Sequence, residues 1–166
     1  EFQLIFCATG GLTIDGVGPE KSIRQISAEA MMRQFALNAV GTALLIRYFS
    51  PLLSKRDRAL MAFLSARVGS IGDNQLGGWM SYRASKAALN QIVRTASIEL
   101  ARTHPATVLV PLHPGTVATS LSEKYSGGHE RTEPLVAATN LLSVLNALTP
   151  TQTGQFFAYD GSKIEW

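Results

Sequence analysis

Tyr82 and Lys86 stand four residues apart in the run Ser81-Tyr82-Arg83-Ala84-Ser85-Lys86-Ala87-Ala88-Leu89-Asn90. The alanine-rich pattern predicts a helix, and on a helix positions i and i+4 share one face, one turn apart. A phenol and an ammonium group therefore meet at one spot. A neighbouring cation favours the phenolate, so the expectation is a tyrosine that exchanges its proton closer to neutral pH than its free value of about 10. That suits a general acid or base at a carbonyl or alcohol oxygen. An inert surface pair has the same spacing, so the surroundings decide.

Three further groups accompany the pair. Ser65-Ala66-Arg67-Val68-Gly69-Ser70 closes one apolar run, and Pro114-Gly115-Thr116-Val117-Ala118-Thr119 follows another. Asn38-Ala39-Val40-Gly41 lies inside an apolar helical pattern. Asparagine is an odd choice there, because it competes for backbone hydrogen bonds. Together these motifs resemble the short-chain dehydrogenase/reductase family, especially its carbonyl-reductase-like branch that includes the C-factor cell-signalling proteins. The likeness is closest from Ser65 to Asn90, with the insertion Gly72-Asp73-Asn74 to Gly77-Gly78-Trp79.

The resemblance implies an α/β fold with a Rossmann-like doubly wound parallel sheet. It implies hydride transfer between the nicotinamide of NAD or NADP and a small carbonyl or alcohol substrate, with the choice of cofactor not readable. Tyr82 would be the acid in reduction and the base in oxidation. Lys86 would depress its pKa and hold the nicotinamide ribose. Asn38 would hold a water at a local helix distortion and link the lysine to a proton relay. Ala8 and Gly10 would line the cofactor's adenosine side, and Pro114 and Gly115 would shape the pocket floor. The backbone of Val117 and the hydroxyl of Thr119 would receive the nicotinamide carboxamide. The long helices imply a homodimer or homotetramer.

The pattern departs from the family at three places. The family's working serine is the second of Ser-Ser-x-x-Gly, and that place is Ala66, so Ser65 is the serine assigned, with Ser70 the alternative if the insertion before Tyr82 shifts the register. Cys7-Ala8-Thr9-Gly10 fills the family's Asn-Asn-Ala-Gly turn without asparagine. The fingerprint Thr-Gly-x-x-x-Gly-x-Gly does not occur. Residues 1–166 are therefore expected to be a partial domain that begins mid-domain, the alternative being a natural short form that has lost its phosphate site. It would lack the N-terminal fingerprint half, supply strands four to seven, and be inactive and weak in NAD(P) binding by itself. The apolar run Phe2 to Cys7 would then be an edge needing cover. The alternative is a catalytically silent module for protein interaction or cell signalling.

The elements that must position these groups read off in order. Phe2–Cys7, Ala59–Leu64, Thr107–Val110 and Phe156–Tyr159 read as strands. Ser27 caps a helix running to about Tyr48, and others span Met80 to about Arg102 and Leu135 to Leu148. Ser120 to Glu133 reads as a mobile loop. This alternation predicts parallel strands with crossover helices.

Bulk properties narrow the partners. Of 166 residues, 46% are hydrophobic and 16% charged, which excludes disorder. The net charge of +3 is spread out, with Lys55-Arg56-Asp57-Arg58 the only cluster, so no nucleic-acid partner is expected. Cys7 is the single cysteine, so no intrachain disulfide is possible. His104, His113 and His129 lack metal spacing, and His104 and His113, which flank a predicted strand, suit turn or core roles. No run of about 18 apolar residues is uninterrupted, and the expectation is a cytoplasmic protein without a membrane partner.

Overall fold

A computed structural model describes residues 1–125 and 130–166. Its centre is a parallel sheet of four strands in the order β1-β2-β3-β4. These are β1 (Leu4–Cys7), β2 (Ala59–Leu64), β3 (Thr107–His113) and β4 (Phe157–Ala158). Leu60 sits opposite Leu4 and Val108, which fixes the register of the first three strands. Because side chains alternate along a strand, β2 feeds two cores. Ala59, Met61 and Phe63 pack with Leu89 and Val93 on one face. Leu60 and Ala62 pack with Leu141 and Leu145 on the other.

Helices cover both faces. α1 (Ala28–Phe35) and α2 (Gly41–Phe49) form one continuous rod through a π-helical turn at Ala36–Val40. α3 (Met80–Leu100) packs beside that rod, and α5 (Pro134–Ala147) lies on the opposite face. Ser27 caps α1 as expected, its hydroxyl accepting from Ala30 N at 3.4 Å. The stretch Ala28–Leu52 is long and apolar enough to cross a membrane by length and composition alone. Here it lies against α3, with Gln34, Asn38 and Thr42 buried.

Two expectations change. β3 does not stop before Pro111 but runs to His113. β4 meets β3 only at Leu112 and His113, so proline's missing N–H costs that ladder nothing. The stretch read as a mobile loop contains a short helix, α4 (Ser120–Glu123), closed by a capping box between Thr119 and Ser122. Val117 then bridges to Thr132. Gly127, Gly128 and His129 lie outside the described residues.

Edge strand β1 pairs with β2 alone, and Phe2 and Leu4 are exposed. Nothing within the described residues provides the cover expected for residues 2–7.

Candidate active site

The strands' carboxyl ends open onto a cavity of about 650 Å³, where open α/β sheets collect ligands. Tyr82 enters it from the first turn of α3 and is buried. Lys86 follows one turn later, also buried, its Nζ 5.8 Å from the Tyr82 ring centre. Lys86 Nζ donates to Leu64 O at 2.9 Å, at the end of β2. The helix thus brings the phenol and the amine to one spot, as their spacing requires.

The electrostatics run opposite to the sequence expectation for Tyr82. Burial pushes its hydroxyl up to about 12. Burial pushes Lys86 down to about 8. Each group is driven toward its neutral form, because low polarity penalises either charge. At neutral pH Tyr82 therefore keeps its proton and is poised as a donor.

Asn38 sits in the π-helical turn, a distortion that the family resemblance implied. Its Oδ1 accepts from Gly11 N, and its Nδ2 donates to Gly11 O, both at 3.0 Å. Nδ2 also reaches Gln34 Oε1 at 2.7 Å and Ser85 Oγ at 3.1 Å. Asn38 thereby ties the turn after β1 to α3, supplying the tether that Cys7-Ala8-Thr9-Gly10 cannot. A Cβ on Gly10 would lie 3.1 Å from Lys86 Nζ and 3.3 Å from Asn38 Oδ1, so the turn comes close to the lysine because it carries no side chain there. Gly69 serves the other side. A Cβ there would sit 2.8 Å from Lys86 Cβ, so glycine lets the turn after β2 press onto α3.

The serine does not arrive where the sequence reading put it. Ser65 is buried, and its hydroxyl donates to Asn90 Oδ1 at 2.6 Å. The residue that lines the cavity is Ala66. Ser65 shares the parity of Met61 and Phe63, which face α3, but it meets that helix at Asn90, two turns beyond Tyr82. Ser70 is no substitute, since its hydroxyl accepts from Asp73 N and it does not line the cavity.

Ala8, Pro114, Gly115, Val117 and Thr119 all line the cavity. Gly10 stands behind them beside Lys86. Gly115 has φ +78, a left-handed backbone that favours glycine, and a Cβ there would press on the Tyr159 ring.

Sequence reasoning missed several residues. His113 lines the cavity instead of filling a turn. Asn90 follows Tyr82 and Lys86 on one helical face, a spacing that could have marked it. Trp79 and Tyr125 stack edge to face at 5.6 Å beside Tyr82. Glu20, from the loop after β1, holds the start of α3 through Ser81.

The chain is similar to known proteins. The family model described as short chain dehydrogenase matches residues 7–129. The 1-hydroxy-2-glutathionyl-2-methyl-3-butene dehydrogenase of Rhodococcus sp. (strain AD45) is 34% identical over 166 residues, covering 100% of this chain and 69% of the relative. The C-signal protein of Myxococcus xanthus is 36% identical over 137 residues, covering 82% of this chain and 78% of the relative. The NADPH-bound carbonyl reductase from chicken fatty liver superposes with a TM-score of 0.78 at 28% identity, covering 95% of this chain and 67% of that one. The chain thus spans about two thirds of the length of such relatives. With the family model matching well over half of the sequence, and the parallel sheet and helix-borne Tyr82 and Lys86 in place, the chain belongs to the short chain dehydrogenase family.

Proposed function

We propose that the protein is an NAD(P)-dependent oxidoreductase that interconverts a carbonyl and an alcohol, with Tyr82 as the proton donor in reduction. One observation carries this reading. A buried phenol that holds its proton at neutral pH faces the cavity, one helical turn from a buried lysine.

The residues present fit the nicotinamide-ribose half of such a cofactor. Gly10 leaves free the space that a side chain would take beside Lys86 and Asn38. Lys86 Nζ has one described acceptor, Leu64 O, and keeps donors for ribose hydroxyls. Pro114, Gly115, Val117 and Thr119 offer a wall with backbone and hydroxyl groups for a carboxamide. The chicken reductase binds NADPH, which supports a nicotinamide dinucleotide here. When bound, the cofactor would supply the hydride. Tyr82 gives its proton to the substrate oxygen, and Asn38 holds the turn and α3 in register. Apolar walls such as Val68, Trp79 and Leu142 suit a substrate with an apolar body and exclude water around the reacting oxygen. We place this activity in the cytoplasm.

Tyr82→Phe tests the reading. It removes the donor and little volume, so carbonyl reduction by the whole protein should fall by about 10²- to 10⁴-fold with the melting temperature preserved. Unchanged turnover would overturn the assignment. A protein that neither binds NAD(P) nor reduces carbonyls would instead be the interaction module.

A further inference from the structure

A carbonyl oxygen that gains charge during reduction is best met by more than one fixed donor. Tyr82 is one. The end of β2 offers no second, because Ala66 presents a methyl group and Ser65 is committed to Asn90. Most other polar side chains in the wall are engaged. Ser122 Oγ donates to Val117 O, the Tyr125 hydroxyl pairs with Thr13 Oγ1 at 2.7 Å, and the Arg67 guanidinium pairs with Asp73 at 3.7 Å. Thr119 accepts in its capping box and keeps its O–H, as Trp79 and Thr116 keep their donors, but none of the three is bonded to the β2 end.

His113 is. The backbone N–H of Arg67, the residue after Ala66, donates to His113 Nδ1 at 3.2 Å. An Nδ1 that accepts leaves the proton of the neutral ring on Nε2. Burial first, and then the charge of Arg67, push the ring down to about 4, against the weaker pull of Asp160 and Asp73. The ring is therefore neutral near pH 7. Tyr159 packs edge-on against it, centres 6.5 Å apart, and fixes its plane. Among the described residues Nε2 has no partner. By strand parity His113 shares the face of Leu109, which packs with α3, the helix that carries Tyr82.

We propose that the Nε2–H of His113 is the second hydrogen-bond donor to the substrate oxygen, supplied from β3 where β2 presents only Ala66. This rests on the oxidoreductase reading above. The group is uncharged, so it strengthens its bond as charge develops on the oxygen without itself gaining or losing a proton.

The test is a four-variant set on the whole protein, with 9,10-phenanthrenequinone as the carbonyl probe and NADH or NADPH as reductant. His113→Ala should lower kcat/KM by about 10²-fold. His113→Gln, which keeps an N–H near the Nε2 position, should retain most of the rate. Ala66→Ser placed in the His113→Ala background should restore most of what was lost. A merely structural role would not be rescued by a hydroxyl on another strand. Full activity in His113→Ala, or no rescue by Ala66→Ser, overturns the proposal. A second readout does not depend on turnover. In protein with ¹⁵N-labelled histidine, the His113 resonance, assigned by its loss in His113→Gln, should show the proton on Nε2 and move downfield when the quinone is added. A proton on Nδ1, or no movement at saturating quinone, overturns it. If the parent and Tyr82→Phe are equally inactive while this resonance still moves, the oxidoreductase reading fails and the contact stands.

Discussion

Tyr82 and Lys86 titrate in opposite directions for one reason, and it sets a pH dependence. Lys86 is pushed down to about 8 by burial, while an unfolded lysine titrates near 10.4. Between these values the unfolded chain holds one more proton than the folded chain, so stability rises with pH across that window. The gain reaches about 3 kcal/mol by linkage. We expect urea unfolding to show the parent gaining stability from pH 8 to 10.5 relative to Lys86→Met, which lacks the titrating group. Equal slopes for the two proteins would show that Lys86 is not held in this way. The variant should lose carbonyl reduction throughout. At this scale the meeting of the helical pair was legible, because a 3.6-residue period fixes what faces what, whereas Asn38 stood out only as an asparagine inside an apolar helix. Ser65 was assigned to the cavity, but strand parity fixes only that residues 61, 63 and 65 meet α3, not that Ser65 meets it at Asn90 instead of Tyr82. His113 was hidden because the strand that delivers it passes through Pro111, which reads as a stop.

α3 carries the chemistry, and its first turn is held from outside the helix. Trp79, at the N-cap, is left-handed at φ 53 and offers no side-chain cap. Glu20 takes the cap's place. Its carbonyl accepts from Trp79 N at 2.6 Å, and its carboxylate accepts from both the amide and the hydroxyl of Ser81. An anion at a helix N-terminus also meets the favourable end of the helix dipole. Burial raises the Glu20 carboxyl, but the bonds from Ser81 outweigh it and bring its pKa below the usual value. Its contribution is therefore present above the unfolded pKa and is lost as pH falls below it. Glu20→Ala should cost about 1–2 kcal/mol in urea unfolding. It should also lower kcat, because Tyr82 is the residue next to Ser81. Glu20→Gln keeps an acceptor and should recover part of both. A stable Glu20→Ala protein with full kcat would show that the helix caps itself. Nothing local to Glu20 announces this role, since its partner lies about sixty residues on. The signal was negative: a long helix beginning after Gly-Gly-Trp has no capping residue of its own. α1, α3 and α5, by contrast, were legible almost to their ends from apolar period, proline and capping serine.

The whole molecule was legible as strands alternating with helices, which leaves few topologies besides a parallel sheet with crossovers on both faces. Its surface was not, because exposure depends on how elements pack. Leu37, Val40, Leu44 and Tyr48 are all exposed and form one stripe at helical spacing along the α1–α2 rod. Phe2 and Leu4 form a second apolar exposure on edge strand β1, with no charge or proline between Phe2 and Cys7 to blunt it. The two invite different association. A helical stripe meets a copy of itself about a two-fold axis and closes, whereas an uncovered strand edge also pairs with any extended chain that reaches it. We expect the stripe to make a homodimer and the edge to cause concentration-dependent aggregation of the 166-residue chain. Leu44→Glu places a charge in the stripe and should shift the light-scattering mass at micromolar concentration from dimer to monomer. Leu4→Lys places a charge on the edge and should leave the dimer intact while raising the concentration at which turbidity appears. A dimer that survives Leu44→Glu but dissociates in Leu4→Lys would place the contact on β1, with the two sheets joined edge to edge.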